Sequence, residues 1–228
     1  FLPLLADRQG LRSPSLGDRA AVLGKQAIRP IGRVRKTRYS AAMNIAHRAP
    51  STFTNAEFER LVRSGGFGGA RVELRRGLIV KMNPQYAAHA ITKTDLADAI
   101  KAGLHTANLR WRVDQEVSVD FNSAFQPQPD IVVWDPAAAP PGFDGPIPAK
   151  AVRFIVEVAD SSLSDDLGEK LEDYASCGLA EYWVADVKGR QILQHSGPGN
   201  ATYARRDPVR FGEVLISRAY PQLRIDTA

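Results

Sequence analysis

The 228-residue chain predicts an α/β fold, a mixed β-sheet flanked by helices. Two observations carry that prediction. The pattern runs helix, hairpin, helix, three strands, helix, strands, so strands cluster in the middle instead of alternating as βαβ units. At the centre stands "FIVEVAD" (154–160), five of whose seven residues are apolar, as expected of a strand buried on both faces. Glu157 interrupts that strand, and an unpaired carboxylate in such a place costs on the order of several kcal/mol. Something must compensate it.

The elements follow in order. "TNAEFERLVRSGG" opens with Thr54 three residues before Glu57, the spacing of a capping box, and Phe58, Leu61 and Val62 recur at helical spacing until Gly65-Gly66. "RVELRRGLIVKM" predicts two short strands around Arg76-Gly77, and Asn83-Pro84 breaks the pattern. "YAAHAITKTDLADAIKAGL" predicts a helix of about five turns. "WRVDQEVSVDF" alternates, with Trp111, Val113, Val117, Val119 and Phe121 on one face, and predicts one half-buried strand. "QPDIVVWD" is a short apolar strand opening with an acid, followed by a Pro/Gly loop and the central strand. "SDDLGEKLEDYASCG" predicts one helix with Leu167, Leu171, Tyr174 and Ala175 on its apolar face. "EYWVADV" and "RQILQHS" predict a hairpin around Lys188-Gly189, and the remainder predicts short strands.

Charge is unevenly divided. Residues 1–42 hold nine of the 30 Lys/Arg and two of the 25 Asp/Glu, which leaves 21 basic and 23 acidic residues, a net of −2, in residues 43–228. The net charge of +5 therefore belongs to the N-terminal stretch, and bulk charge does not make the remainder a nucleic-acid binder. That stretch lacks sustained periodicity and precedes Met43. It is expected to be a disordered extension or an upstream read-through. A basic nucleic-acid arm and an Arg-rich targeting sequence are the alternatives. A single cysteine, Cys177, excludes an internal disulfide, and the four histidines show no HExxH spacing. No run reaches the roughly 18 apolar residues of a membrane span, so a cytoplasmic location without membrane contact is expected.

Chemistry concentrates on two strands. Asp130 opens one and Glu157 lies within the next. Sequential strands are usually neighbours, which would bring the two carboxylates to one point. There they repel each other and lose hydration, and a hard divalent cation such as Mg²⁺ relieves both costs. A Lys or Arg partner for Glu157 inside the sheet is the alternative.

A Pro-Asp pair, a loop and an apolar strand centred on Glu resemble the PD-(D/E)XK nuclease pattern. The lysine of that pattern belongs two residues after the acid, where this chain has Ala159. The stretch "DLGEKLEDYASCGLAEYW" on the following helix is similar to the Uma-two family of restriction-endonuclease-type proteins, in which the lysine sits on that helix; Lys170 is the matching residue. The resemblance covers residues 52–225 and extends through "VELRRGLIVKMNP", a helical His, "QPD", "VEV" and "EYWVAD". It departs in the hairpin, where Arg76 and Leu78 replace the two acids of the family's DGE, while Glu73 remains.

The resemblance implies a restriction-endonuclease-like core and hydrolysis of phosphodiesters, with DNA as the expected partner and Mg²⁺ or Mn²⁺ as cofactor. It implies catalytic roles for Asp130, Glu157, Lys170 and Glu73, with metal held by Asp130, Glu157 and the carbonyl of Val158. His89, Gln128, Ser161 and Asp166 are supporting candidates. For each a plainer role stands beside the functional one: a core histidine, a loop amide, a helix cap and a helix-dipole partner. Lys170 is expected at a helix edge with its stem on apolar surface and its ammonium brought to the acids, and an ordinary solvated partner of Asp166 or Tyr174 is the alternative. A homodimer would supply the two sites that double-strand cleavage needs. A nuclease fold that binds nucleic acid without turnover, and a hydrolase of another phosphate substrate, are the alternative functions.

Overall fold

A computed structural model describes residues 51–228; the N-terminal extension lies outside the described residues. Helix α1 (Asn55–Arg63) starts at the expected capping box, with both reciprocal bonds between Thr54 and Glu57 formed, and it buries Phe58. Strands β1 (Val72–Arg75) and β2 (Leu78–Lys81) pair as an antiparallel hairpin whose turn places Arg76 and Gly77 at positive φ. Helix α2 (Ala87–Thr106) buries Leu96, Ala97, Ile100 and Leu104.

The next segment departs from the single strand expected. Strand β3 (Arg112–Gln115) stops at Glu116, whose φ of 56° is left-handed, and β4 (Val119–Asp120) belongs to a separate two-stranded pair. The kink turns the side chains over: Trp111 and Val113 pack on the α2 side of the sheet, whereas Val117, Val119 and Phe121 join the core on the other side.

Strand β5 (Ile131–Trp134) is buried throughout, the short β6 (Ile147–Pro148) pairs with β4, and β7 (Val152–Ala159) is the predicted interior strand. The helix expected after it is two pieces, α3 (Leu163–Asp166) and α4 (Glu169–Ser176), separated at Gly168. A Cβ at Gly168 would come within 2.7 Å of the Ser164 carbonyl, so the break needs glycine. Strands β8 (Glu181–Asp186) and β9 (Gln191–Pro198) form the expected hairpin, tied by the Gly189 N–H to the Asp186 carboxylate at 2.8 Å. Among the later strands β10 (Tyr203–Arg210) is long, with eight residues, and β11 (Val214–Ile216) pairs with β12 (Arg224–Asp226).

The main sheet has the order β10-β9-β8-β7-β5-β3, with β7 and β8 parallel and the other neighbours antiparallel. It is therefore the mixed sheet expected. One face carries α2 and β11–β12 over Phe154, Val156 and Trp183, and the other carries α4 over Ile155, Tyr182 and Val184. No helix among the described residues is long and apolar enough to cross a membrane.

Candidate active site

The β5–β7 register pairs Ile131 with Val156, so Asp130, one step before Ile131, falls across from Glu157. Alternation puts both on the face that α4 covers. Asp130 is held from three sides. Its Oδ2 accepts the Val158 N–H at 2.9 Å and lies 3.0 Å from His89 Nε2, and its Oδ1 accepts from Gln85 at 3.2 Å. Burial alone would raise its pKa, but the His89 contact, the Val158 N–H and the Lys170 charge outweigh burial and hold the carboxyl below the ordinary carboxylate value.

Glu157 is 3 % exposed. Its Oε1 accepts from the Tyr174 hydroxyl at 3.0 Å, and its Oε2 lies 3.2 Å from Lys170 Nζ. The same ammonium is 3.0 Å from Asp166. One cation thus serves two buried acids. Burial pushes the Glu157 carboxyl up to about 8 against the pull of Lys170, with Asp130, Asp166 and Glu73 adding to the rise. Burial works against the charge of Lys170, but Glu157, Asp166 and Glu73 outweigh it, and its pKa lies well above the ordinary lysine value. The helix break explains this access. Lys170 sits in the first turn of α4, just past Gly168, and points inward. It is 14 % exposed, with its ammonium turned to the acids and not to solvent.

The β1–β2 hairpin brings Glu73, 5 % exposed, whose Oε2 accepts the Gln128 N–H at 3.2 Å. Arg75 beside it is buried, makes a two-pronged bond to Asp165 at 2.8 and 3.0 Å, and reaches Glu169 at 3.4 Å. Arg76, where the family pattern has an acid, binds Asp173 at 2.7 Å and Glu172 at 2.9 Å. The hairpin is therefore latched to α3 and α4 by arginines. Glu73, Arg75, His89, Asp130, Glu157, Ser161 and Lys170 line one cleft of about 180 Å³.

The supporting candidates divide. His89 meets Asp130 at the cleft and is not a core histidine. Asp166, 1 % exposed, holds Lys170 and accepts from Ser162 at 2.5 Å. Ser161 lines the cleft, and the helix-cap position falls to Ser162. The Gln128 side chain turns away to the Glu116 carbonyl at 2.7 Å and to Arg71, so only its backbone reaches the site. Four neighbours were not singled out from the sequence: Gln85, Lys93, Arg75 and Glu116. Of these only Gln85, next to the Asn83-Pro84 break, carried any local signal.

A hard divalent cation commonly takes one or two carboxylates and completes its shell with water and substrate phosphate. Asp130 and Glu157 suit that demand, because both are buried acids and each adds to the electrostatic cost of the other's charge. Among the described residues no group of three His, Cys, Asp or Glu side chains is gathered closely enough to enclose an ion by itself. The donor set therefore fits a cation shared with water and substrate, and does not fit a closed structural site.

The six-stranded mixed sheet has helices on both faces, with two acids and a lysine at one end of its inner strands. The family model Uma2, described as "Putative restriction endonuclease", matches residues 56–228, and the chain belongs to that family. The fold is similar to the crystal structure of a "putative nuclease belonging to DUF820" from Anabaena variabilis, with a TM-score of 0.55 at 15 % identity over 77 % of this chain and 95 % of that one. No curated protein matches the chain.

Proposed function

We propose that this chain is a metal-dependent endonuclease acting on DNA. The observation that carries the reading is the placement of Asp130 across from Glu157, with the Lys170 ammonium against Glu157 inside a common cleft. Asp130, Glu157 and the Val158 carbonyl are the groups that would hold a divalent cation. When bound, the cation polarises a phosphoryl oxygen and lowers the pKa of a water in its shell.

The chain's own residues do the rest. Lys170 keeps its proton at working pH, because Glu157 and Asp166 hold it, and it presents a fixed positive charge where negative charge develops on the phosphate. His89 and the Val158 N–H fix the direction of the Asp130 carboxylate. Glu73 supplies a third acid at the cleft wall, and Ser161 offers a hydroxyl there.

Nicking of supercoiled plasmid by the full chain, dependent on Mg²⁺ or Mn²⁺ and lost in Asp130→Asn, is the expected result. Retention of DNA without cleavage in either metal would favour the second reading, a nucleic-acid-binding module without turnover. That reading draws on Arg76 and Leu78, which replace acids of the family pattern.

A further inference from the structure

We propose that Lys93 is a positioning residue for the metal-binding carboxylate: held by Glu116, it orients Gln85, and Gln85 in turn orients Asp130. The inference rests on the reading of Asp130 as a metal ligand.

Lys93 lies one helical turn beyond His89 on α2, so the two share a face. Its side chain is 7 % exposed and does not line the cleft, so it has no access to substrate. Burial of a lysine needs partners, and three are present. Its ammonium donates to Gln85 Oε1 at 2.6 Å, contacts the Glu116 carboxylate, and stands 4.0 Å from Asp130 Oδ1.

The contact with Gln85 settles which way its amide points. With its oxygen taken by Lys93, the amide NH₂ faces Asp130 Oδ1 and donates to it at 3.2 Å. Turned over, the amide would set its NH₂ against an ammonium and its oxygen against a carboxylate. Without the ammonium that preference weakens.

Glu116 ties the arrangement to the backbone. Its N–H is shared between the Pro129 and Asp130 carbonyls at 3.1 and 3.3 Å, and its own carbonyl accepts from Gln128 at 2.7 Å. Its side chain holds both Lys93 and Arg71. A non-glycine residue at φ 56° is strained and persists only where its surroundings over-determine it. Here one residue anchors both the main chain of Asp130 and the cation that orders its side chain. A plain structural pin between α2 and β3 would not need the link through Gln85.

Mn²⁺ titration calorimetry on the full chain tests the relay, with Lys93→Met, Gln85→Leu and Asp130→Asn compared against wild type at one pH. Loss of a residue that orients a metal ligand typically weakens metal affinity by about 10–100-fold. The relay predicts that loss for Lys93→Met and for Gln85→Leu, and no greater loss for the double variant than for the worse single one. Gln85 is only partly buried, so its variant decides the matter if Lys93→Met does not fold. Lower melting temperature with unchanged Mn²⁺ affinity would reduce Lys93 to a structural pin and overturn the relay. Loss in Asp130→Asn without loss in the other two overturns the relay alone. Wild-type affinity indifferent to Asp130→Asn overturns the reading of the site, and the relay with it.

Discussion

The Lys170 ammonium lies 3.2 Å from the Glu157 carboxylate and 3.0 Å from that of Asp166, and all three side chains are largely withdrawn from solvent. This is the compensation that a glutamate in the middle of "FIVEVAD" requires, and it is incomplete, because one cation is divided between two acids. A second cation approaching Glu157 and Asp130 would complete it.

Lys170→Met should destabilise the protein, increasingly so at high pH. Removing one partner of a buried pair costs about 3–5 kcal/mol when the other stays charged. Glu157 escapes that cost by keeping its proton, because the pull of Lys170 is what opposes the rise that burial imposes. Urea melts should therefore show a loss near neutrality, where Asp166 is left without its cation, and a larger loss above about pH 9. Cleavage should fall by about 10²–10³, the loss typical of one electrostatic contact to developing charge. Unchanged melts at both pH values would return Lys170 to a solvated helix edge.

Glu157→Gln and Asp130→Asn should move the stability of the metal-free protein in opposite directions. The folded pKa of Glu157, about 8, lies above its ordinary value of 4.5. Its contribution is thus full below 4.5 and is lost as pH rises through 8. Gln escapes that loss: its oxygen can face Lys170 while Tyr174 accepts from its NH₂. At about pH 9 the Gln variant should equal or exceed wild type, and the two should converge in acid. Asp130 has the opposite sign: its lowered pKa gives stability above 3.8 that is lost as pH falls through the folded value. Asp130→Asn should cost about 1.5–3 kcal/mol at neutral pH, the worth of a charge-assisted bond. Thermal melts across pH check both, and a large loss in the Gln variant at high pH would make Glu157 half of a structural ion pair.

Metal affinity should rise with pH and level off. A cation competes with the proton on Glu157, so binding releases that proton below about 8 and none above it. Titration calorimetry in buffers of different ionisation enthalpy reads the released proton directly. A pH-independent affinity would place the metal away from Glu157.

Arg75→Lys should loosen the hairpin that carries Glu73. A lysine cannot form the two-pronged bond to Asp165, and about 1.5–3 kcal/mol is at stake for a hydrogen bond to a charged group. Hydrogen exchange should speed up in β1 and β2 while β7 and β8 stay protected. Equal protection in variant and wild type would show that the latch holds nothing.

The parts of this site that were legible in the sequence are those where a residue contradicts its surroundings. Glu157 stands out because everything beside it is apolar, and Asp130 because it opens such a strand. The break at Gly168 was written as a glycine inside a helical pattern, but Leu167, Leu171 and Tyr174 kept the period across it. Glu116 carried no mark at all, since left-handed backbone normally announces itself with Gly or Asn. Lys93 was hidden for a different reason. On α2 it sits among Thr92, Thr94 and Asp95, a polar run that reads as a solvated face, and only the approach of Glu116 from beyond β3 and of Gln85 from the segment before α2 makes it buried.

The pairing of Asp130 with Glu157 as a cation site is the claim on which the rest depends. Anomalous scattering from crystals grown with Mn²⁺ tests it most directly. An anomalous peak touching both carboxylates and the Val158 carbonyl, absent from Asp130→Asn crystals, is the expected result. A peak in the wild-type crystals at any other group, with Lys170 still closed on Glu157, would contradict it.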